Sequence, residues 1–158
     1  MSNYENKIIY GFSDIKVKKD NLTYDILGAK SVSIDIQIEQ VTARNRTQSF
    51  VLGQQVTNAT GTMTVLSLTA KEEALLFGYK YDESTREIAV GNFTSQEVEL
   101  SFKQKRADGR NIIYKMFVVF TPSSLDMNTV AGAIEEQNIT LNFEIIQKDG
   151  VYYRRYEN

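Results

Sequence analysis

The sequence predicts a mainly β protein: a β-sandwich or barrel of antiparallel strands with one flanking α-helix and a long extended arm. Three observations support this fold class. Several segments alternate apolar and polar residues with a period of two, Asp-Gly pairs stand next to such segments, and one short stretch has helical spacing with signals at both ends. With 158 residues the chain has the length of one domain, which we expect to span residues 1–158.

The clearest strand signal begins near residue 32. Four apolar residues alternate there with four polar ones: Val32, Ile34, Ile36 and Ile38 against Ser33, Asp35, Gln37 and Glu39. A strand of this pattern has one dry face and one wet, acidic face. Gln40 interrupts the alternation before Val41, which predicts a bulge at this point.

A polar stretch rich in Thr, Asn and Gln follows at residues 42–60. We interpret it as an extended hairpin or arm that projects from the body, because a structureless connection of this length is unusual within a compact domain. Its arginines, Arg44 and Arg46, and its apolar residues around Phe50 suit a segment that orders against a partner. The alternative is a loop without a function.

One short helix is predicted at about residues 70–77, after a strand at residues 61–68. Thr69 and Glu72 match a capping box, with Thr at the N-cap and Glu three residues later. Gly78 suits the position after the helix, where a left-handed backbone favours glycine. The apolar residues between these signals form one stripe, so the helix can lie against a sheet.

The second half of the chain predicts more antiparallel sheet. Residues 97–103 alternate, Asp108-Gly109 signals a hairpin turn, and residues 112–121 form the return strand. Residues 116–120 are apolar on both faces of that strand. We therefore expect cover on both sides, by the core on one and by the helix or another subunit on the other.

The remaining residues continue the same pattern. A loop at residues 123–137 precedes a further alternating strand at residues 139–145. Asp149-Gly150 is then expected to turn the chain into a final aromatic strand at residues 151–153.

Composition excludes several kinds of chemistry. The chain has no His, Cys or Trp, so it offers no imidazole base, no thiol nucleophile, no disulfide and no zinc site of nitrogen and sulfur ligands. Its 18 basic and 20 acidic residues give a net charge of -2, unlike the strongly basic footprint of a nucleic-acid-binding protein. The N-terminus has neither a basic start nor an apolar stretch, and we expect no signal peptide or membrane span. No metal or cofactor is predicted.

An enzyme would have to rely on carboxylates, such as the pair Glu97 and Glu99 or the pair Asp35 and Glu39. Each pair lies on one face of a strand, where two carboxylates can serve as acid and base or bind calcium if they meet in a pocket. Polar residues that alternate along a strand usually form its solvated face instead. The sequence has no EF-hand, phosphate-binding glycine loop or nucleophile elbow, and we predict no enzyme.

Basic residues cluster at two places, around the predicted hairpin turn and near the C-terminus: Lys103, Lys105, Arg106 and Arg110, and Arg154 and Arg155 among Tyr152, Tyr153 and Tyr156. Tyrosines beside arginines can stack the bases of a single strand. Lys and Arg at a sheet edge also keep that edge soluble. The net acidity of the chain favours the second interpretation.

Five segments carry a family resemblance by their order and spacing: Leu27-Gly28-Ala29-Lys30-Ser31-Val32-Ser33-Ile34, Gly61-Thr62-Met63-Thr64-Val65, the helix from Thr69 to Gly78, Arg106-Ala107-Asp108-Gly109-Arg110, and Asp149-Gly150-Val151-Tyr152-Tyr153. Together they resemble the major tail proteins, or tail tube proteins, of long-tailed bacteriophages, especially those of Gram-positive hosts. The similarity spans nearly the whole chain. This sequence is shorter than many family members and has no extra immunoglobulin-like domain, so decoration functions are not implied.

The resemblance implies a structural virion protein whose activity is self-assembly. Proteins of this family form homohexameric rings, in which neighbouring sheets join into a continuous barrel around a channel. The rings stack through the arm and the termini into a tail tube for DNA ejection into the host cell. The implied partners are other copies of the chain, the tape-measure, tail terminator and distal tail proteins, and double-stranded DNA that passes without sequence-specific binding. Assembly is expected in the host cytoplasm, with no membrane binding by the chain itself.

Three sets of residues follow as candidates for these roles. The ring-stacking arm set is Arg44, Arg46, Phe50 and Gln54, in which the arginines can meet carboxylates of the next ring. The channel-lining set is Asp35, Glu39, Glu97, Glu99 and Glu144, because an acidic wall repels DNA phosphates. The subunit-interface set is Met116, Val118, Phe120, Tyr152 and Tyr153.

A carbohydrate- or ligand-binding β-sandwich module of a phage or bacterial surface structure is the alternative function. Such a module needs a concave aromatic platform, for which the chain offers Tyr79, Tyr81, Tyr152 and Tyr153. The absence of Trp, which stacks best on sugars, weakens this alternative.

Overall fold

The structure is a computed structural model that describes residues 9–44, 48–91, 96–121 and 138–158. Within these residues it has ten strands and one helix: β1 (Ile9–Lys19), β2 (Leu22–Asp25), β3 (Ala29–Arg44), β4 (Ser49–Val65), α1 (Ala70–Phe77), β5 (Lys80–Asp82), β6 (Glu87–Ala89), β7 (Glu97–Arg106), β8 (Asn111–Thr121), β9 (Ile139–Ile146) and β10 (Tyr153–Glu157). The protein is mainly β, with antiparallel sheets and one flanking helix, and the predicted fold class is confirmed. The predicted loop at residues 123–137 lies outside the described residues.

Eight strands form one sheet in the order β2-β1-β7-β8-β9-β4-β3, with β10 also paired to β8. β9 pairs with the second half of β8, and β10 pairs with its first half. β9 and β10 therefore lie end to end along β8. The predicted turn at Asp149 and Gly150 is present, with φ of 51° and 78°. The turn pairs Lys148 with Val151 in an isolated β-bridge. The chain then continues as β10, which runs in the same direction as β9.

One face of this sheet, the core face, supplies a single buried cluster to which β1, β4, β7, β8, β9 and α1 contribute. Val17, Leu100 and Met116 are neighbours across three strands, and all are buried. The rings of Phe120 and Phe143 meet edge to face at 5.4 Å between centroids. Alternation along each strand places these side chains on one face and the polar residues on the other.

Helix α1 begins and ends where the sequence predicts. The Thr69 hydroxyl accepts a hydrogen bond from the Glu72 amide at 3.2 Å, which is the N-cap interaction. Gly78 follows with φ of 77°, and its amide donates to the Ala74 carbonyl at 2.9 Å. Leu76 and Phe77 are buried, so the helix covers part of the core.

The turn between β7 and β8 confirms the Asp-Gly signal. Gly109 has φ of 89°, and the Asp108 carboxylate accepts from the Arg110 amide at 3.0 Å. The Arg106 side chain is only 11% exposed, and its guanidinium forms ion pairs with Glu157 at 2.5 Å and with Asp108 at 3.6 Å. Arg106 therefore holds the end of β10 to this turn.

Candidate functional site

The predicted arm is the outer part of the β3–β4 hairpin. The two strands pair from Ala29 and Val65 to Arg44 and Ser49, but β9 accompanies β4 only from Thr60 to Val65. The two-stranded part therefore begins at the pair Ile36 and Ala59, earlier on β3 than the predicted start at residue 42.

The predicted bulge lies one residue later and on the other strand. β3 continues through Gln40, opposite Gln54, and the register shifts between Val41 and Thr42, where Leu52 of β4 has no partner. Of the ring-stacking arm set, Gln54 is exposed. The backbone of Arg44 in β3 pairs with Ser49, and that of Phe50 in β4 pairs with Ala43. Arg46 lies outside the described residues, as do the side chains of Arg44 and Phe50.

The apolar pattern of β3 extends beyond the core. Val32 and Ile34 pack against the buried cluster, whereas Ile36 and Ile38, on the same face of the strand, are 37% and 57% exposed. Val56 stands directly opposite Ile38 and is 39% exposed. We call Ile36, Ile38 and Val56 the bare stripe. It is an exposed apolar surface on a hairpin that has left the sheet.

The outer edge of β3 carries few of the features that protect an edge strand. In the described residues β3 pairs with β4 alone. The pairing shifts register after Gln37 and again after Val41, and in both places the extra residue, Thr57 or Leu52, belongs to β4 and not to β3. From Ser31 to Arg44 the strand has no proline, no lysine and no residue with positive φ. Such an edge has free N–H and C=O groups ready to pair with another strand.

The other end of the sheet is better protected. β2 is only four residues long. The first part of β1 contains Gly11 and Asp14 with φ of 75° and 53°, and its pairing with β7 shifts register at both places. Lys16 and Lys18 follow on the same strand. Bulges, short strands and lysines are the usual means of blocking edge pairing.

The channel-lining candidates share the second face of the sheet, which we call the open face. Glu97, Glu144 and Asp35 belong to one row of cross-strand neighbours, completed by Val119 of β8 and Thr60 of β4. We call these three carboxylates the acidic row. They stand on alternate strands, about 10 Å apart. Glu99 lies two residues after Glu97 in β7 and Glu39 four residues after Asp35 in β3, so both are also on this face.

Each carboxylate of the acidic row is separated from the next by a strand whose residue in the row is uncharged, Val119 or Thr60. No group of three or more His, Cys, Asp or Glu side chains in the described part of the chain is placed to hold a metal ion. Glu97 is paired with Lys148 at 2.8 Å. Shifted pKa values lie elsewhere: burial raises the pKa of Glu72 and of Glu73 in α1, and hydrogen bonds from Ser84 and Thr85 lower the pKa of Asp82.

The open face also carries a basic area, of which only Lys103 and Arg154 belong to the basic clusters seen in the sequence. Lys16, Ser101, Lys115 and Arg154 form one row of cross-strand neighbours. Adjacent rows add Lys18, opposite Glu99, and Lys103, opposite Ile113. We call Lys16, Lys18, Lys103, Lys115 and Arg154 the basic zone. The cations come from four strands, so only their pairing brings them together.

The structure corrects part of the subunit-interface set. Met116, Val118 and Phe120 are at most 2% exposed and lie in the chain's own core. The pleat of β8 sends Phe117 and Val119 to the open face, and those side chains are the ones that a partner can reach there. Tyr153 packs against Tyr114, with ring centroids 6.2 Å apart, and the Tyr152 hydroxyl donates to the Val56 carbonyl at 3.3 Å. Both tyrosines are half-buried within the chain.

Of the tyrosines named for the alternative function, Tyr79 and Tyr153 pack against rings of the chain itself. Tyr153 faces Tyr114, and Tyr79 packs against Phe77 at 5.8 Å between centroids. Both rings pack against the core cluster. Two shallow cavities of about 570 and 430 Å³ lie on the open face and are lined mainly by charged and polar residues.

No family model matches this chain, and no curated protein matches its sequence. Among the described residues, no helix has the length and apolar character needed to cross a membrane.

Proposed function

We propose that the chain is a structural subunit of a phage tail tube, which polymerises as stacked hexameric rings and forms the channel for genome delivery. The single observation that carries the proposal is the unprotected outer edge of β3, which is long, regular and paired on one side only within the described residues. A strand of this kind is stabilised when a second chain pairs with it.

The order of the strands supports lateral joining of the copies. The sheet ends in β3 on one side and in β2 with the first part of β1 on the other. The bulges in the first part of β1 disfavour pairing there, so the outer edge of β3 in one copy would pair with β2 of the next copy. Such a contact is heterologous, and it closes into a ring if the rotation per subunit divides a full turn. The sheets of the copies then become one continuous barrel.

Axial stacking would use the outer part of the β3–β4 hairpin. Its bare stripe, Ile36, Ile38 and Val56, offers apolar area that a neighbouring copy can bury. Arg44 and Arg46 are proposed to meet carboxylates of that copy, which would set the position of one ring on the next.

The open face is the proposed wall of the channel. Asp35, Glu39, Glu97, Glu99 and Glu144 remain the acidic candidates on it. The basic zone lies on the same face. The proposed channel wall therefore combines an acidic row with a basic area. Repulsion of phosphates then applies near the row and not across the whole face.

Electron microscopy of the purified protein tests the proposal. We expect rings or tubes after concentration or after co-expression with the tail initiation proteins. Persistent monomers under all these conditions, measured by sedimentation and negative stain, would contradict it.

A shortened hairpin tests the role of the arm. Replacing residues 40–54 by an Asn-Gly turn joins Glu39 to Gln55, which are cross-strand partners. We expect a folded protein with a cooperative thermal transition, because the core cluster is untouched, and no stacked tubes. The bare stripe is retained in this variant, so tubes of normal length would refute a stacking role for residues 40–54.

A further inference from the structure

We propose that the basic zone binds the phosphate backbone of double-stranded DNA. This inference goes beyond tube assembly, because Lys16, Lys18, Lys103, Lys115 and Arg154 all belong to one chain and meet without a second copy. If the chain does form a tube, the zone is the part of the channel wall that holds the DNA in transit.

The spacing of the cations suits several phosphates at once. Lys16 and Lys18 are two residues apart on β1, about 6.8 Å. Lys16 and Lys115 are two strands apart in the same row, about 10 Å, and Arg154 lies on the strand next to Lys115. Duplex DNA carries one phosphate per about 3.4 Å of each strand, so an area of this size faces several phosphates.

The charges are available to a ligand. Lys16, Lys18, Lys115 and Arg154 are exposed. Lys103 pairs with Asp14 at 3.5 Å, and the two side chains are 37% and 54% exposed, so solvent weakens this pair. The charged residues that line the shallow groove of about 430 Å³ are four lysines, Lys16, Lys18, Lys103 and Lys115, and two carboxylates, Asp14 and Glu99.

The shape of the area favours a polyanion over a protein. The shallow groove of about 430 Å³ has Ser101 and Thr23 among its lining residues, so a phosphate backbone can approach the sheet. Protein interfaces centre on buried aromatic or apolar anchors. The exposed ring in this groove, Tyr156, already has the Lys115 ammonium 5.6 Å from its centroid. Lysines, as flexible point charges, suit phosphate without a fixed geometry.

Fluorescence anisotropy with a labelled 20-base-pair duplex tests the proposal on the soluble, unassembled chain. Four phosphate contacts predict that the logarithm of the binding constant falls with a slope of about -3.6 against the logarithm of the salt concentration. The variant Lys16→Gln/Lys18→Gln/Lys115→Gln should bind at least tenfold more weakly at low salt and show a slope that is smaller by about 2 to 3.

A charge-matched control distinguishes binding at the basic zone from attraction by the overall charge of the protein. The variant Lys71→Gln/Lys80→Gln/Arg86→Asn removes the same three charges from the region of α1, β5 and β6. We expect its affinity for the duplex to stay within twofold of the unchanged chain. An equal loss in both variants would overturn the proposal, and so would no binding of the duplex at 20 mM salt.

Labelled polyglutamate is the second ligand in the same assay. Binding of polyglutamate as tight as that of the duplex would overturn the assignment to DNA in favour of an acidic protein partner. Ring and tube formation is scored separately by electron microscopy. A chain that binds the duplex without assembling would support DNA binding by the basic zone and contradict the proposed tail tube. A chain that assembles without binding the duplex would support the tail tube and contradict DNA binding by the basic zone.

Discussion

Gly61 shows how one residue decides the packing of two strands. It stands in β4 between Ile34 of β3 and Phe143 of β9, and the Phe143 ring lies across the space that a Cβ would fill. The same Cβ would lie 2.8 Å from the Ser33 carbonyl oxygen. We expect Gly61→Ala to lower the free energy of unfolding by about 1–3 kcal/mol, because the ring and the backbone must move apart. Urea denaturation measures this change.

Gly53 is the matched control in the same strand, since nothing lies within 4 Å of a Cβ built there. Gly53→Ala should leave the free energy of unfolding unchanged or raise it by up to about 1 kcal/mol, because alanine restricts the unfolded chain. Equal losses from the two substitutions would contradict the packing account of Gly61.

Glu73 provides a prediction on pH. Burial raises its pKa, so the fold favours the protonated carboxyl over the charged one. The stability contributed by protonation is therefore present at low pH and lost as the pH rises through the folded-state pKa. Glu73→Gln should raise the free energy of unfolding at pH 7, and the gain should disappear below the ordinary glutamate pKa of about 4.3. Thermal melts of Glu73→Gln and of the exposed control Glu87→Gln, between pH 3.5 and 7, measure the difference. A pH-independent gain would argue against the desolvation account.

At the scale of elements, the β3–β4 hairpin links sequence pattern to assembly. Alternation alone predicts an apolar face along residues 32–38, and it does not say where the core ends. Pairing decides that, because β9 accompanies β4 only as far as Thr60. Beyond that point the same pattern leaves Ile36 and Ile38 exposed.

Ile38→Lys tests whether the bare stripe is a contact surface. Because Ile38 is 57% exposed in the single chain, we expect the free energy of unfolding to change by less than about 1 kcal/mol. Assembly should be lost or need a much higher protein concentration, since a buried contact would now hold a charge. Val90→Lys, at a residue that is 68% exposed outside the hairpin, should assemble normally. Light scattering as a function of concentration compares the two, and equal assembly would exclude the stripe.

Four strands escaped the sequence pattern, the short pair β5 and β6 and the pair β1 and β2, and for the second pair the reasons are identifiable. β1 alternates clearly only around Ile15 and Val17, and Gly11 and Asp14 interrupt its earlier part with bulges. The turn into β2 is Asp20-Asn21, with φ of 52° and 63°. Asp and Asn tolerate this left-handed backbone, but the pair is a weaker hairpin signal than Asp-Gly.

For the whole molecule, the arrangement of strands assigns each face and each edge. The core face is complete within one chain, which is why Met116, Val118 and Phe120 are core residues and not contacts for another copy. The outer edge of β3 and the bare stripe are incomplete within the described chain. The proposed ring and stack would complete both, whereas the open face would stay in contact with solvent and DNA.

The sequence by itself determined the local features: the strand alternation, the limits of α1, the Asp-Gly turns and the mainly β class. These depend on residues within a few positions of one another, through side-chain period, caps and backbone preference. Only the tertiary structure decided that Glu97, Glu144 and Asp35 share a row and that Lys16, Lys115 and Arg154 share another. Those rows depend on which distant strands pair and in what register, and a shift of one residue would send every side chain to the opposite face.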